Sequence, residues 1–224
     1  MLADPIRRAA LAIGLATGAY AVSYGVLAVD AGLSVAQTCA MSLLVFTGAS
    51  QFAVVGVLGA GGGTLAALAP ALVLAARNGI YGLALAPVLR GRRASRALRS
   101  QLIIDESTAM ARAQTEPAAA RHAFLATGLS VFVFWNLGTL AGALLGGGIG
   151  DPRALGLDAM FPAAFLALLA PQLRLPDART AAMCGALVAV VLVPVAPVGV
   201  PILAAVLGLL PAVRTLRRAA PVPL

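Results

Sequence analysis

Long apolar stretches without charge, separated by short charged or glycine-rich breaks, make up most of the sequence. Residues 9–29 form the first, and residues 31–76 contain no charged side chain at all. An α-helix rises about 1.5 Å per residue, so about 20 apolar residues cross a hydrocarbon core about 30 Å thick. The second stretch is too long for one crossing, and the glycine run 61–63 divides it. The pattern predicts a series of membrane-spanning helices.

We predict one all-α integral membrane domain over residues 1–224, with about seven transmembrane helices. The predicted spans cover residues 9–29, 33–58, 64–89, 122–145, 157–173, 180–193 and 198–211. Between the third and fourth spans, residues 90–121 carry seven arginines and three acids. We expect this basic segment to lie along the membrane surface on the cytoplasmic side, with Leu98, Leu102 and Met110 available to face lipid.

Composition supports a membrane protein and excludes several other classes. Hydrophobic residues make up 61% of the chain and charged residues 11%, against about 25% charged in soluble domains. The net charge of +8 comes from arginines clustered between spans, which is the pattern of membrane loops and not of a nucleic-acid surface. Cys39 and Cys184 lie singly in apolar runs, and no catalytic, nucleotide or metal motif is present. We expect no enzyme activity, cofactor or metal site, and transport is the default function.

The positive charges also constrain orientation. Seven crossings place residues 90–121, the loop with Arg174 and Arg179, and the C-terminal arginines on one side, which the positive-inside rule assigns to the cytoplasm. The same count leaves Arg7 and Arg8 outside. A re-entrant or split segment within residues 31–76 would change this parity.

Arg77 is the clearest polar residue inside a predicted span. Charge at the bilayer centre costs about 2.5–3.5 kcal/mol, so an intramembrane arginine indicates a functional site. Asn78 follows it, and Tyr81 lies one turn further on the same helical face. Two interpretations stand: a guanidinium that attracts a substrate carboxylate, or one that pins neighbouring helices through their backbone carbonyls.

The second predicted span contains a cluster of small and polar residues, namely Ser42, Thr47, Gly48, Ser50 and Gln51. Such a cluster fits a discontinuous helix whose free amides and carbonyls bind the two ends of a zwitterion. Close helix packing through small residues explains it equally well. Similar letters at 32–33 and 156–157, and glutamines at 51 and 172, suggest inverted three-helix repeats, although chance explains them as well.

Other polar residues have simpler explanations. We interpret Trp135 and Asn136 as polar contacts between helices in preference to cavity lining. Asp105 and Glu106 fit a gate or proton site, but a solvated surface helix accounts for them more readily. His122 is interpreted as a residue at the start of the fourth span.

Three segments together resemble the AzlC family of branched-chain amino acid permeases. They are Met41-Ser42-Leu43-Leu44-Val45-Phe46-Thr47-Gly48-Ala49-Ser50-Gln51-Phe52, Arg77-Asn78-Gly79-Ile80-Tyr81-Gly82-Leu83, and Asp105-Glu106-Ser107. The family usually has Asn two residues before the arginine and His directly after it, whereas this chain has Ala75 and Asn78 there.

The resemblance implies a carrier in the bacterial cytoplasmic membrane that exports leucine, isoleucine or valine with a small hydrophobic AzlD-type subunit. For such a zwitterion, we expect Arg77 and amides of the second span to bind the carboxylate. Ser50, Gln51 and free carbonyls would bind the ammonium, and Phe46, Phe52 and Tyr81 the side chain. A membrane scaffold that only stabilises a partner, and an importer of another small neutral amino acid, are the alternatives.

Overall fold

The described residues are mainly helical, and no strand occurs among them. The structure, a computed structural model, describes residues 4–148 and 172–211 and seven positions between them. The helices are α1 (Pro5–Asp30), α2 (Val35–Leu44), α3 (Gly48–Gly59), α4 (Thr64–Ala84), α5 (Arg93–Ser100), α6 (Asp105–Arg112), α7 (Pro117–Gly146), α8 (Pro176–Leu192) and α9 (Val200–Ala204), with 3-10 turns at Gln172–Arg174 and Ala205–Gly208. Helices α1, α4 and α7 are long and apolar enough to cross a membrane, which confirms the predicted fold class. Most of the predicted span 157–173 lies outside the described residues.

Helices α1 and α7 pack together along most of their length, and glycines bring their backbones into contact. A Cβ added at Gly138 would overlap the carbonyl of Gly18, and one added at Gly142 would overlap the carbonyl of Val22. Small residues one turn apart permit such close approach between membrane helices. Because the contacting positions advance together along both helices, α1 and α7 run in the same direction.

The N-termini of α1 and α7 therefore lie side by side. The carboxylate of Asp4, which caps α1, has its Oδ2 2.9 Å from Nε2 of His122 near the start of α7. Helices α1 and α7 are the first members of the two groups in the repeat hypothesis, and an inverted repeat would set them in opposite directions. Their shared direction favours a parallel relation between any such repeats.

Helices α2 and α3 form a hairpin that enters the bundle and returns to the same end. Ser42 of α2 contacts Thr139 of α7 with 3.2 Å between their hydroxyl oxygens. A Cβ added at Gly59, the last residue of α3, would lie only 3.7 Å from Cβ of Ala31, which directly follows α1. With 10 and 12 residues, α2 and α3 extend about 15 and 18 Å, half the thickness of the hydrocarbon core. The predicted discontinuous helix is present, but it is re-entrant and does not cross between its two ends.

The hairpin turns at residues 45–47. Thr47 is extended (φ −149°, ψ 100°), so α3 starts anew at Gly48. A Cβ on Gly48 would lie 2.8 Å from Cη2 of Trp135, so the tip rests directly on this indole. The ring of Phe46 packs edge-on against Phe132, with centroids 5.0 Å apart. The tip is held between side chains of α7.

Helix α4 runs opposite to α1 and brings Arg77 towards the end where α1 begins. Ser50 of the hairpin donates a hydrogen bond to the carbonyl of Ala71, 2.8 Å away, midway along α4. Leu85, directly after α4, joins a buried cluster with Phe124 near the start of α7. Arg77 precedes the end of α4 at Ala84 by seven residues, about 10 Å. It is therefore closer to one membrane face than the predicted span 64–89 implied.

The basic connection between α4 and α7 divides into two parts. Helix α5 has no buried residue, in agreement with a surface location. Leu102, by contrast, is only 7% exposed, and Ile103 and Ile104 are buried with it. These residues carry α6 into the bundle, where it packs on α7. The expectation that Leu102 faces lipid was therefore wrong, because the residues after α5 fold inward.

The hairpin changes the parity of the early spans. The starts of α1 and α7 share one side, so Arg7 and Arg8 lie on the same side as residues 90–121. The single crossing of 33–58, which placed Arg7 and Arg8 outside, is replaced by a return. Because Arg7, Arg8 and residues 90–121 now share one face, the positive-inside rule predicts that this face is cytoplasmic.

The C-terminal helices form a second, smaller hairpin. A Cβ added at Gly185 of α8 would lie 2.8 Å from the carbonyl of Ala205, and one added at Gly208 would overlap residues of the same part of α8. The connection at Gly199 contacts the carbonyl of Ala66, near the start of α4. The connection between α8 and α9 thus packs against the bundle at the end opposite the arginine-rich connection.

The re-entrant hairpin predicts the labelling of introduced cysteines. After Cys39 and Cys184 are replaced by serine, Ala36→Cys and Ala60→Cys should both react with a membrane-impermeant maleimide from outside the cell, because both exposed positions lie at the Asp30 end of α1. Thr115→Cys should react only after the membrane is opened. Opposite accessibility of positions 36 and 60 would show a crossing.

The α1–α7 contact predicts a cost for one methyl group. Gly142→Ala should lower the free energy of unfolding of the detergent-solubilised protein by about 1–3 kcal/mol, because the new Cβ overlaps the carbonyl of Val22. This loss should appear as a lower melting temperature. The matched control is Gly56→Ala in α3, whose Cβ would meet no atom within 4 Å. Equal melting temperatures for the two variants would contradict the close packing.

Candidate functional site

A cavity of about 60 Å³ lies where the hairpin tip meets α4, α6 and α7. Its lining combines the tip residues 46–49 with a group of charged and polar side chains and an aromatic wall. The lining residues are Tyr20, Phe46, Thr47, Gly48, Ala49, Arg77, Asn78, Ile104, Asp105, Glu106, Val131 and Trp135. Because distant parts of the chain contribute to it, only the folded bundle assembles this site.

The N-terminus of α3 opens into the cavity. The first amides of a helix have no acceptor within the helix, and the helix dipole adds partial positive charge there. Thr47, in the position before the helix, makes no capping hydrogen bond with its side chain. Since Thr47, Gly48 and Ala49 line the cavity, these amides are available to an anion there.

Arg77 provides the positive charge opposite the tip. Its Nη2 lies 2.7 Å from Oδ2 of Asp105, and the two side chains are 29% and 23% exposed. The hydroxyl of Tyr81 donates a hydrogen bond to Oδ1 of the same carboxylate at 2.8 Å. The Arg77 Nε is buried without a hydrogen-bond partner among the described residues. Asp105 is thus held by two donors. The Nε–H of Arg77 is free to donate a hydrogen bond to a ligand, as far as the described residues show.

Glu106 adds a second carboxyl group beside Asp105. It lines the cavity, and among the described residues it has no salt-bridge partner of its own. Burial raises the pKa of the Glu106 carboxyl, its own backbone amide and Arg77 oppose the rise, and the charge of Asp105 adds to it. Glu106 is therefore easier to protonate than a glutamate in water.

The remaining wall is apolar and aromatic. Trp135 is 5% exposed, and its Nε1 has no hydrogen-bond partner in the part of the chain that the structure describes. Tyr20 meets Trp135 edge-on, with ring centroids 5.5 Å apart. Together with Phe46, Ile104 and Val131 these rings offer a surface for an aliphatic group, and the indole N–H adds one free donor.

Four of the eight residues predicted for substrate binding lie on the cavity, namely Thr47, Gly48, Arg77 and Asn78. The Oδ1 of Asn78 is buried and unpaired within the described structure, so it can accept a hydrogen bond from a ligand.

The other four predicted residues lie behind the cavity wall. Ser42 contacts Thr139, and Ser50 donates to a carbonyl of α4. Tyr81 holds Asp105 from behind. Gln51 is fully buried, close to Tyr24, and its amide has no hydrogen-bond partner in the described regions. These side chains shape and support the site without lining it.

Phe46 lines the cavity as expected for the apolar pocket, whereas Phe52 stacks on Tyr20, with ring centroids 5.0 Å apart, and does not line it.

The sequence does not predict that three of the lining residues belong to the site. It favours a solvated surface helix for Asp105 and Glu106, whereas α6 folds inward and presents both to Arg77. Trp135 was interpreted as a helix contact, yet it supports the hairpin tip. One signal for α6 was present: the apolar run 102–104 directly precedes the two acids and separates them from the arginines.

Comparison with known proteins identifies the family of this chain. The family described as AzlC protein matches residues 12–149, more than half of the chain and all the cavity-lining residues. Over 192 residues the chain is 30% identical to the inner membrane protein YgaZ of Escherichia coli (strain K12). The aligned region covers 79% of this chain and 77% of that protein. No solved structure shows a significant match. The chain is a member of the AzlC family of membrane proteins.

Proposed function

We propose that this protein is the large subunit of a carrier that exports branched-chain amino acids across the bacterial cytoplasmic membrane with a small AzlD-type subunit. The observation that carries the proposal is the cavity at the hairpin tip. There a helix N-terminus and an arginine face one another beside two carboxylates and an aromatic wall. These groups match the carboxylate, ammonium and aliphatic parts of a neutral amino acid.

The substrate carboxylate would bind between the first amides of α3 and the guanidinium of Arg77. Two parallel hydrogen bonds from a guanidinium to a carboxylate are stronger than neutral ones and fix its orientation. Asp105 occupies part of the guanidinium in the present arrangement, at 2.7 Å. Substrate therefore competes with Asp105 or uses the remaining donors, of which Nε is free among the described residues.

The ammonium would bind on the acidic side of the cavity. Asn78 offers an unpaired Oδ1, and Glu106 offers a carboxylate without a cation of its own in the described structure. Ser50 and Gln51, which the sequence suggested for this role, lie behind the wall and would act through the hairpin.

The aliphatic side chain would pack on Phe46, Ile104, Val131 and Trp135. At about 60 Å³ the cavity has room for a few water molecules. A branched side chain needs more space, so binding requires the tip or α6 to move. A broken helix supports such a movement because residues 45–47 belong to neither helix. Alternating access by displacement of the tip is consistent with this geometry.

The location of Arg77 favours loading from the cytoplasmic side. It lies about 10 Å from the end of α4 that carries the arginine-rich connection. Substrate from the cytoplasm would then reach the site along a short path.

Arg77→Ala should abolish efflux of valine, leucine and isoleucine from cells loaded with hydrophobic dipeptides, when the chain is expressed with its small subunit. The reason is the loss of the only guanidinium that lines the cavity among the described residues. The matched control is Arg93→Ala in the exposed helix α5, which should leave efflux unchanged.

Membrane fractions are immunoblotted for every variant. Normal efflux by Arg77→Ala would contradict the carboxylate site. Loss of the variant from the membrane would instead assign Arg77 to helix packing. No efflux by the wild type, alone or with the small subunit, would favour the scaffold or the importer.

A further inference from the structure

The cavity contains more negative than positive charge. Arg77 is the only cation on its lining, and Asp105 and Glu106 are both acids. Once Asp105 pairs with Arg77 at 2.7 Å, the charge of Glu106 has no partner within salt-bridge distance in the described structure. A neutral amino acid brings equal positive and negative charge, so it leaves this excess unchanged. The substrate ammonium can nevertheless pair directly with Glu106, so another cation is needed beside this carboxylate when the cavity is empty of substrate.

The surroundings of Glu106 determine which cation fits. From α4 it faces Arg77 and Tyr81, from α6 Asp105, and from α1 Tyr20. The lining contributed by α3 and α7 has no titratable side chain, since it consists of tip residues, Val131 and Trp135.

No group of three or more His, Cys, Asp or Glu side chains that could hold a metal ion occurs in the described residues. Burial, the largest effect, raises the pKa of Glu106, as does the neighbouring charge of Asp105. A proton, which needs a single carboxyl oxygen, suits this place.

We propose that Glu106 binds the coupling proton of the carrier, and that proton and substrate ammonium occupy its carboxylate in turn. This inference rests on the proposed function. When the cavity is empty of substrate, a proton from water bonds to one carboxyl oxygen of Glu106 and neutralises it. The substrate ammonium binds the charged carboxylate more strongly than the neutral carboxyl group, so the proton leaves to water as the ammonium arrives. Two cations that exclude each other at one carboxylate are exchanged in opposite directions.

The exchange explains how export is driven. A proton enters Glu106 from the outer side, is carried inward and dissociates in the cytoplasm, where the amino acid takes its place. One proton moves in for each zwitterion that moves out. The Asp105 carboxylate is not equivalent to Glu106 in this role, because Arg77 and Tyr81 already donate to both of its oxygens.

The test uses the purified full-length protein with its small subunit in liposomes. Counterflow of radiolabelled valine without a pH gradient measures substrate exchange alone. Accumulation of valine into liposomes with an acidic interior measures proton-driven transport in reverse. Glu106→Gln should retain counterflow with a raised KM, because the amide oxygen still accepts from the ammonium, and should lose accumulation. Glu116→Gln, at an exposed acid ahead of α7, is the matched control and should retain both.

Each outcome decides a separate point. Absence of counterflow in the wild type would overturn the proposed function itself. Counterflow without gradient-driven accumulation in the wild type, or accumulation by Glu106→Gln, would overturn the proton site and leave the function standing. If Glu106→Gln is not folded, the test is proton movement across the liposome membrane when valine is added, measured for the wild type and for Glu106→Asp. Absence of proton movement in both proteins would overturn the proposal.

Discussion

A break in a helix inside a bilayer is tolerated only where protein covers it, because each unpaired peptide group in hydrocarbon costs several kcal/mol. The turn at residues 45–47 meets this condition. Phe46 is packed on Phe132, and Nε2 of Gln101 donates to the carbonyl of Leu43 at 2.9 Å. One carbonyl at the end of α2 thus has a partner in the segment that connects α5 and α6. The start of α3 faces the cavity, where charged and polar side chains from α4 and α6 come together.

The same constraint explains the partners of Arg77. A guanidinium within the bundle needs a carboxylate, and Asp105 approaches it from α6. This ion pair ties the inward fold of the connecting segment to α4, while Tyr81 adds a hydrogen bond from the next turn. Loss of either charge would leave the other uncompensated at a partly buried site, which is costly. A substrate that supplies its own carboxylate and ammonium can exchange these contacts without leaving a charge unpaired.

The run lengths of apolar residues predict α1, α4 and α7, because the length of a membrane helix is a local property. They do not predict the path of residues 33–58, since a segment of that length suits a crossing or a hairpin equally. The return to Ala31 depends on packing against α1 and α7. Arg77 and Tyr81 were found from their shared helix face. Asp105 was not assigned to the site, because its approach depends on how α6 packs, and no local pattern fixes that.

The most direct test of the amino-acid site uses Trp135, the only tryptophan in the chain and part of the cavity wall. Leucine titrated into the purified protein should change its intrinsic fluorescence in a saturable way. The same titration with 3-methylbutylamine, which is leucine without its carboxylate, should produce no saturable change, and neither should leucine added to a folded Arg77→Ala variant. An equal response to leucine and to the amine, or no response of the wild type to any branched-chain amino acid, would contradict a carboxylate site at the hairpin tip.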